Sequence, residues 1–354
     1  MASRRITRVM KRVLQQSARP FLGKLVPFAG ALVGLALVIG TGGCASHRPA
    51  PLLIGHQAMA APACLSDKAL SLKLVTYNIW GLPSWMTGAR PGRYPPIARE
   101  LERLDPDIIL LQEAWTAKAR TSAPANGRWA IARAAGQHTF FQQSGLVTLS
   151  KWPIVGGEFY PFSRAAYLDR FVNKGVLKVT VLLPDGQVLN VWNVHLQEGR
   201  WCSVRRSQIR ELVARVLAAE DGQMADLVGG DFNCTPESPL CAELANSLGP
   251  SVQQLGGGDP FVTWDGLSAK PNAGEMIDYI FIRPRTAGQT PQAVRRRVFT
   301  AAGLGQRLSD HLGIEAVVNL SPASSLAGVV GPPLESSPSL RTAAAGQPIY
   351  GGGD

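Results

Sequence analysis

The sequence predicts an α/β (α+β) fold over residues 70–320, in which mixed β-sheets are covered by helices. Strand-like apolar runs, several of them paired as hairpins, are interspersed with single segments of helical periodicity. The chain has 354 residues and 45% of them are hydrophobic, which is enough to bury a large core and excludes wholesale disorder or a collagen-like repeat. Because several strands are hairpin-like and the helices between them are single, a doubly wound parallel fold fits less well.

The first part of this region predicts two strands with a helix between them. Residues 72–79 are strand-like, and the apolar positions of 97–104 mark a short helix that Pro96 opens. Residues 107–113 predict a buried strand whose polar residues fall at its C-terminal end.

The second part predicts a hairpin, a helix and more strands. The segments 176–183 and 188–196 are joined by Pro184-Asp185-Gly186-Gln187, which is a turn sequence. Apolar residues at 3.6-residue spacing predict a helix through 209–217, with Ser203 as its N-cap. Further strands are predicted at 225–228, 276–282 and 312–318.

The N-terminal segment predicts export from the cytoplasm. The first 43 residues hold seven basic and no acidic side chains, so the formal charge of +11 falls to +4 for the rest of the chain. An apolar run at 26–39 and the sequence Gly42-Gly43-Cys44 resemble a bacterial lipoprotein signal, although Thr41 replaces the usual larger aliphatic residue. Acylation of Cys44, a cleaved signal peptide and a retained anchor all remain open, and each gives an extracytoplasmic protein, either membrane-anchored or periplasmic and secreted.

Composition divides the chain into four segments. We expect an export signal at 1–44, an Ala/Pro-rich tether at 45–69, a catalytic domain at 70–320 and a disordered Ser/Pro/Ala/Gly-rich tail at 321–354.

The remaining cysteines are even in number, as oxidising compartments favour. Cys234 and Cys241 are close enough in sequence to close a small disulfide loop, which leaves Cys64 with Cys202. No pair has the spacing of metal ligands, which argues against a zinc site.

Polar residues recur inside or just after the predicted strands. Any one of them alone is more often an ordinary strand-end or turn residue. Eight such positions, with two of the five histidines of the chain among them, point to chemistry instead. They are Asn78, Glu113, His195, Asp231, Asn233, Asp278, Asp310 and His311.

This set has the parts for metal-assisted cleavage of a phosphodiester. Magnesium binds oxygen ligands and usually takes only one or two protein carboxylates, so Glu113 and Asp310, with Asn78 assisting, are the candidate metal ligands. Manganese or calcium are possible substitutes for magnesium. Asp231 or a His–Asp pair is suited to activate a water, and His195 to protonate the leaving oxygen.

Six short motifs in a fixed order resemble the endonuclease/exonuclease/phosphatase superfamily. Together they extend over most of residues 72–320. The resemblance implies a four-layered α/β/β/α sandwich of two mixed sheets flanked by helices, and a magnesium-dependent phosphodiesterase or phosphatase. The motifs are Thr76-Tyr-Asn-Ile-Trp80, Leu111-Gln-Glu113, Asn193-Val-His-Leu196, Gly230-Asp-Phe-Asn233, Ile277-Asp-Tyr-Ile280 and Ser309-Asp-His311.

The resemblance also implies a role for each residue. It supports the same three metal ligands and makes Asp231 the residue that orients or deprotonates the attacking water. Asn233 is then expected to hold the phosphate. His311, oriented by Asp278, is expected to contact the scissile phosphate, and His195 to protonate or stabilise the leaving oxygen.

Several of these segments are similar to the neutral sphingomyelinase branch of the superfamily. This similarity favours a phospholipid headgroup or membrane surface as the substrate. Nucleic acid is the weaker candidate, because the mature chain has no long basic stripe. The segments are Asn78-Ile-Trp-Gly-Leu-Pro83, Gln112-Glu-Ala-Trp115, the Ser144-Gly-Leu run to Ile154, Lys174-Gly175, His195-Leu-Gln-Glu-Gly199, and Arg205 with Gln208.

Other functions stay open at this stage. A secreted or periplasmic endonuclease, a phosphomonoesterase and a non-catalytic surface lipoprotein are the alternatives, and no obligate protein partner is indicated. Five apolar residues are candidates either for contact with a lipid surface or for ordinary packing. They are Trp80, Trp85, Met86, Phe261 and Trp264.

Overall fold

The computed structural model describes most of the predicted catalytic domain. The export signal, most of the predicted tether and the tail lie outside the described residues, as do Trp85 and Met86. No helix in the described part of the chain has the length and apolar character needed to cross a bilayer. The described residues are 50–55, 70–84, 91–134, 143–219, 225–255, 261–267, 274–285, 292–300 and 307–320.

Twelve strands and four α-helices account for most of these residues. The helices are α1 (Tyr94–Leu104), α2 (Cys202–Ala218), α3 (Pro239–Leu248) and α4 (Val252–Leu255). The strands are β1 (Leu52–Gly55), β2 (Leu70–Asn78), β3 (Ile108–Gln112), β4 (Ala130–Ala134), β5 (Val147–Ser150), β6 (Ile154–Pro161), β7 (Gly175–Leu182), β8 (Val188–His195), β9 (Ala225–Asp231), β10 (Asp278–Pro284), β11 (Gln292–Val298) and β12 (Gly313–Leu320).

The strands form two mixed sheets. The larger sheet has the order β1-β4-β5-β3-β2-β12-β11, and the smaller has the order β10-β9-β8-β7-β6. The pairs β2–β3 and β8–β9 are parallel, and all other pairs are antiparallel. The predicted hairpin is β7–β8.

Each sheet has apolar side chains on both faces. On β2, Leu72 and Leu74 pack in the core between the sheets, whereas Val75 and Tyr77 point outward to a second cluster with α1. The helices α2 and α3 cover the outer face of the smaller sheet in a third cluster. Strand side chains alternate between faces, so this pattern fixes four layers, and the predicted fold class is confirmed.

The inward-facing side chains change from apolar to polar at one end of the sandwich. On β8, Val191 lies in the core between the sheets, and the next inward positions are Asn193 and His195. On β9, Leu227 lies in the same core, and the strand ends at Asp231. Because β8 and β9 are parallel neighbours, their polar ends meet at the same edge of the sheet.

The start of α2 differs from the prediction. The helix begins at Cys202, and its flanking residue Trp201 makes no side-chain capping hydrogen bond. The prediction of Ser203 as N-cap is therefore wrong, because Ser203 already lies inside the helix.

The structure also corrects the disulfide prediction. Cys202, Cys234 and Cys241 are free thiols, and Cys64 lies outside the described residues. Cys234 and Cys241 are buried in the cluster between α3 and the smaller sheet. Their thiols lie within hydrogen-bond distance of each other there but are not covalently linked.

Candidate active site

Two of the predicted site residues have a left-handed backbone. Glu113 (φ 57°) directly follows β3, and Asn233 (φ 51°) lies two residues after the end of β9. Non-glycine residues adopt this conformation rarely, and where they do the strain is often associated with function. In both places the turn ends the strand and leaves a polar side chain at the polar end of the sandwich.

Asn78 connects the two sheets at this end. Its side-chain amide donates to Glu113 Oε1 at 3.2 Å and to Asp231 Oδ2 at 3.0 Å. Its own side-chain oxygen accepts from the backbone N–H of Trp80, and its backbone oxygen accepts from Ser309 Oγ at 2.8 Å. One buried amide thus fixes the distance between two acidic groups on different sheets.

The two carboxyl groups beside Asn78 have unusual acidity. Burial raises the pKa of Glu113 to about 7, and the negative charge of Asp310 adds to this effect. Burial likewise raises the pKa of Asp231 to about 7, with a further contribution from the charge of Asp278. Buried, closely spaced carboxylates favour a bound cation or a bound proton.

His311 and Asp278 form a buried ion pair. His311 Nδ1 lies 2.9 Å from Asp278 Oδ2. Burial alone lowers the pKa of His311, but the charge of Asp278 and the hydrogen bond to it prevail and raise the pKa to about 10. The imidazole is therefore positively charged at neutral pH. Its Nε2 lies 3.8 Å from Asp231 Oδ2, so it also faces the second acidic group.

The loop that carries Asp310 is held by residues distant in sequence. The indole N–H of Trp264 donates to Asp310 Oδ2 at 3.3 Å. The guanidinium of the buried Arg93 donates to the backbone oxygens of Ile79, Trp80 and Leu308. These bonds join the segment after Asn78 to the segment before Asp310, so both are fixed relative to α1.

His195 has a partner that the sequence analysis missed. Lys174 Nζ lies 3.1 Å from His195 Nε2 and 2.9 Å from Asp169 Oδ2, and it donates to the backbone oxygen of Leu196. Burial alone lowers the pKa of Lys174, but the charges of Asp169 and Glu198 and the hydrogen bond to Asp169 together outweigh burial, and the pKa is raised. Burial and the charge of Lys174 hold the pKa of His195 well below its usual value.

This arrangement fixes the protonation of both groups. An ammonium has no lone pair, so His195 Nε2 is the acceptor in this bond and the imidazole is neutral. The charge therefore resides on Lys174, whose side chain is 3% exposed. In the sequence, Lys174-Gly175 is similar to the family but indicates no role for the lysine. Its contact with Asp169 depends on the turn at Tyr167–Phe171, which the sequence does not predict.

Asn233 and a layer of amides complete the site. The Asn233 side chain donates to the backbone oxygen of Leu196 at 3.1 Å, next to Lys174. Beneath the acidic groups, Gln112 donates to Asn193 Oδ1 at 2.9 Å across the space between the sheets. Asn193 in turn donates to the backbone oxygen of Val147 at 3.0 Å, so the site lies on a hydrogen-bonded floor.

The described aromatic candidates for lipid contact are all partly buried. Trp80 lies 5.7 Å from the guanidinium of Arg93, and Trp264 bonds to Asp310. Phe261 is covered by Arg295 at 4.5 Å and packs against the core. These contacts show packing roles for all three.

Two carboxylate oxygens at the site fit a cation. Among the described residues, Glu113 Oε2 and Asp278 Oδ1 are buried without a hydrogen-bond donor. Ligand atoms of Asp231, Asp278 and His311 also lie within 4.8 Å of one another. A positively charged imidazole does not bind a metal, so the free oxygen of Glu113 is the better ligand.

Comparison with known families agrees with this architecture. Residues 75–311 match the model of the endonuclease/exonuclease/phosphatase family. The chain belongs to this family. The match runs from β2 to His311 and includes every predicted site residue.

Two curated relatives match at moderate identity. A candidate neutral sphingomyelinase of Drosophila melanogaster is 28% identical over 180 residues, which is 48% of this chain and 40% of that protein. An inositol phosphosphingolipids phospholipase C of Schizosaccharomyces pombe is 27% identical over 188 residues, 49% of this chain and 43% of that protein. The chain thus spans about two fifths of the length of these relatives.

Solved structures share the fold at lower identity. The beta toxin of Staphylococcus aureus, solved with bound magnesium ions, has a TM-score of 0.52 and 20% identity, covering 70% of this chain and 99% of the toxin. D. rerio TDP2 complexed with a single-stranded DNA product has a TM-score of 0.57 and 18% identity, covering 70% of this chain and 99% of that one. At these identities the likeness establishes the fold alone.

Proposed function

We propose that this chain is an extracytoplasmic, magnesium-dependent phosphodiesterase that releases the phosphorylated headgroup of a sphingomyelin-like phospholipid. One observation carries the proposal: a buried carboxylate oxygen of Glu113 without a hydrogen-bond donor lies at the same end of the sandwich as two cations. The cations are His311 and Lys174, and both act on the charge of Asp231. Such a site suits a phosphate whose negative charge increases in the transition state, as happens when a phosphodiester is cleaved.

In this proposal, magnesium is held by Glu113 and Asp310, with Asn78 beside them. The ion, when bound, neutralises charge on a phosphate oxygen and favours ionisation of a water molecule. In the structure the Asn78 amide nitrogen faces Glu113, so ligation by its oxygen requires rotation of that side chain. The family fold and the magnesium ions of the beta toxin support the choice of metal.

Asp231 and His311 act on the water side and the phosphate. Asp231 is the candidate base, because its raised pKa of about 7 suits a group that accepts a proton near neutral pH. His311 is too basic to accept one, since Asp278 keeps it charged, and it is suited to bind a phosphate oxygen.

His195, Lys174 and Asn233 lie on the leaving-group side of the proposal. Neutral His195 accepts a hydrogen bond from Lys174, whose other partners are Asp169 and the backbone oxygen of Leu196, so the ammonium supplies a positive charge there. We infer that Lys174 stabilises the leaving oxygen and that His195 orients it. Asn233 is suited to hold the phosphate from the adjacent turn.

The substrate class is inferred from relatives and from charge. The names of both curated relatives refer to cleavage of sphingolipids. The described basic side chains do not form a long stripe for a nucleic-acid backbone: Arg283 and Arg285 pair with Asp226, and Arg296 pairs with Glu315. A nuclease stays the second candidate, because the TDP2 structure carries DNA on the same fold.

The location outside the cytoplasm is supported by the sequence of residues 1–44, with its basic start, apolar run and Gly42-Gly43-Cys44. Anchoring by an acylated Cys44 agrees with a substrate in a membrane. Mass spectrometry of the exported protein distinguishes acylated Cys44 from a cleaved or retained signal.

The proposal is tested by offering the purified protein sphingomyelin in detergent micelles and, separately, plasmid DNA. Each substrate is incubated with magnesium and with a chelator. We expect magnesium-dependent release of phosphocholine and intact plasmid. Cleaved plasmid with intact lipid would identify a nuclease, and no cleavage of either would favour a binding protein.

A further inference from the structure

The N-terminal segment joins the edges of both sheets. β1 pairs with β4 of the larger sheet, with Leu52 opposite Ala134. Just before β1, Ala50 pairs with Phe159 of β6 in the smaller sheet, through backbone hydrogen bonds of 2.8 and 2.9 Å. A strand thus forms within the predicted tether, and residues 50–55 are fixed to the domain.

The register of the larger sheet shows at which end this happens. Ser150 pairs with both Ile108 and Ala130, so these two residues are level across the sheet. β4 and β3 run in the same direction, because both are antiparallel to β5. Ala134 is therefore level with Gln112, the residue before Glu113. Leu52, opposite Ala134, lies at the same level, and the chain before it continues toward the active-site end.

The register of the smaller sheet independently places Ala50 near the active-site end. Phe159 pairs with Leu177, which pairs with Asn193, two residues before His195. The Phe159 ring also lies against Gly175, because an added Cβ there would meet it at 2.8 Å. Gly175 follows Lys174 directly. At about 4.8 Å per strand, Ala50 is roughly 15 Å across the sheet from β8.

The spacing between Ala50 and the proposed anchor is short. Cys44 precedes Ala50 by six residues, which reach at most about 20 Å when fully extended. Beside this point, Leu53 and Ile54 of β1 are 46% and 39% exposed. They are two of seven large hydrophobic side chains exposed among the described residues, so this edge is suited to lie near a lipid surface.

We propose that the strand β1 orients the enzyme, so that an anchor at Cys44 holds the active-site end against the membrane that carries it. The partner is thus the bilayer of the anchoring membrane, and the substrate is lipid of that same membrane. This inference rests on the proposed function. The length of the tether then influences the rate of hydrolysis, because a short tether gives the active site a high effective concentration at the membrane surface.

The test inserts a flexible Gly/Ser spacer of about 24 residues between Ser46 and His47, which lengthens the tether about fivefold and leaves β1 intact. A matched control carries the same spacer after Pro322. Each full-length exported protein is reconstituted into vesicles of sphingomyelin and phosphatidylcholine. Its hydrolysis of that lipid is compared with its hydrolysis of sphingomyelin in detergent micelles, where tether length has no influence.

We expect the N-terminal spacer to lower the rate on the anchoring vesicles about tenfold, since effective concentration falls roughly as the −3/2 power of tether length. Micelle rates and the control variant should be unchanged. An equal vesicle rate with the spacer, or a full-length protein that does not float with the vesicles, would overturn the orientation by β1. Wild-type protein inactive on micelles would overturn the proposed function instead.

Discussion

Asp226 and Asp231 lie at opposite ends of the same strand, β9, and both are buried. Asp226 accepts from the indole of Trp192 and is paired with Arg283 and Arg285. Asp231 accepts from the amide of Asn78 and the backbone N–H of Asn233 and lies near two imidazoles, and its pKa is raised to about 7. The charge of Asp226 is balanced by two arginines, whereas Asp231 binds a proton more tightly than an ordinary carboxyl group does.

This difference shows how the sandwich separates stability from function. A buried carboxylate that is fully paired holds the structure together, whereas removal of one partner is costly. A buried carboxylate that is incompletely paired costs stability and is available to bind a cation or a proton. Substitutions at the two ends should therefore have opposite consequences.

The largest effect is expected at the active-site end. Glu113→Gln should lower magnesium-dependent hydrolysis by about 10³- to 10⁴-fold, because the free carboxylate oxygen for the metal is lost. Stability to urea should be equal or greater, because a buried charge is removed. Turnover at near wild-type rate would refute the assignment of Glu113 as a metal ligand.

At the other end, Asp226→Asn should lower the free energy of unfolding by about 3–5 kcal/mol, because Arg283 and Arg285 lose their buried counterion. Activity per folded molecule should be unchanged. Urea unfolding and active-site titration measure the two quantities. A stable but inactive variant would show that the two ends are not independent.

The next largest effect is expected for Lys174→Met, which should reduce kcat about 10²- to 10³-fold through loss of a buried positive charge at the site. The substitution leaves the buried charge of Asp169 without its lysine, so the double variant D169N/K174M, which removes both charges, is expected to fold. Lys178→Met is the matched control, since Lys178 lies in β7, four residues after Lys174, beside Trp192 and away from His195. Equal losses in both lysine variants would indicate a structural role.

A smaller effect is expected for Asp278→Asn, which should reduce activity about tenfold at neutral pH. Asp278 raises the pKa of His311, so its removal lowers that pKa. The alkaline limb of the pH–rate profile, near pH 10 in the wild type, should then move to lower pH. A profile that keeps its alkaline limb would assign that limb to another group.

The sequence identifies much of the fold because most strands with clear periodicity lie inside a sheet, and only β10 among them is an edge strand. β2, β3, β7, β8, β9, β10 and β12 correspond to predicted strands. The strands that the sequence does not predict are β1, β4, β5, β6 and β11, and for two of them the reason is local. The alternation in β4 uses alanine, which is weakly apolar, and β11 contains Arg295-Arg296-Arg297, which looks like a solvated edge.

For the site, the sequence predicts residue types at strand ends but not their protonation. The structure brings all eight predicted residues to one end of the sandwich, and their roles stay predictions. Which histidine is charged depends on Asp278 near His311 and Lys174 near His195, and both contacts join segments far apart in sequence. Burial and charge of this kind arise only after the sheets have packed.

The order of strands also has a consequence for the timing of synthesis. The smaller sheet is built from β6 to β10, one continuous stretch of chain, whereas the larger sheet needs β11 and β12 from the end of the domain. Asp310 and His311 immediately precede β12, which inserts between β2 and β11. A nascent chain therefore lacks a complete site until its last strand has been synthesised and has folded into the sheet.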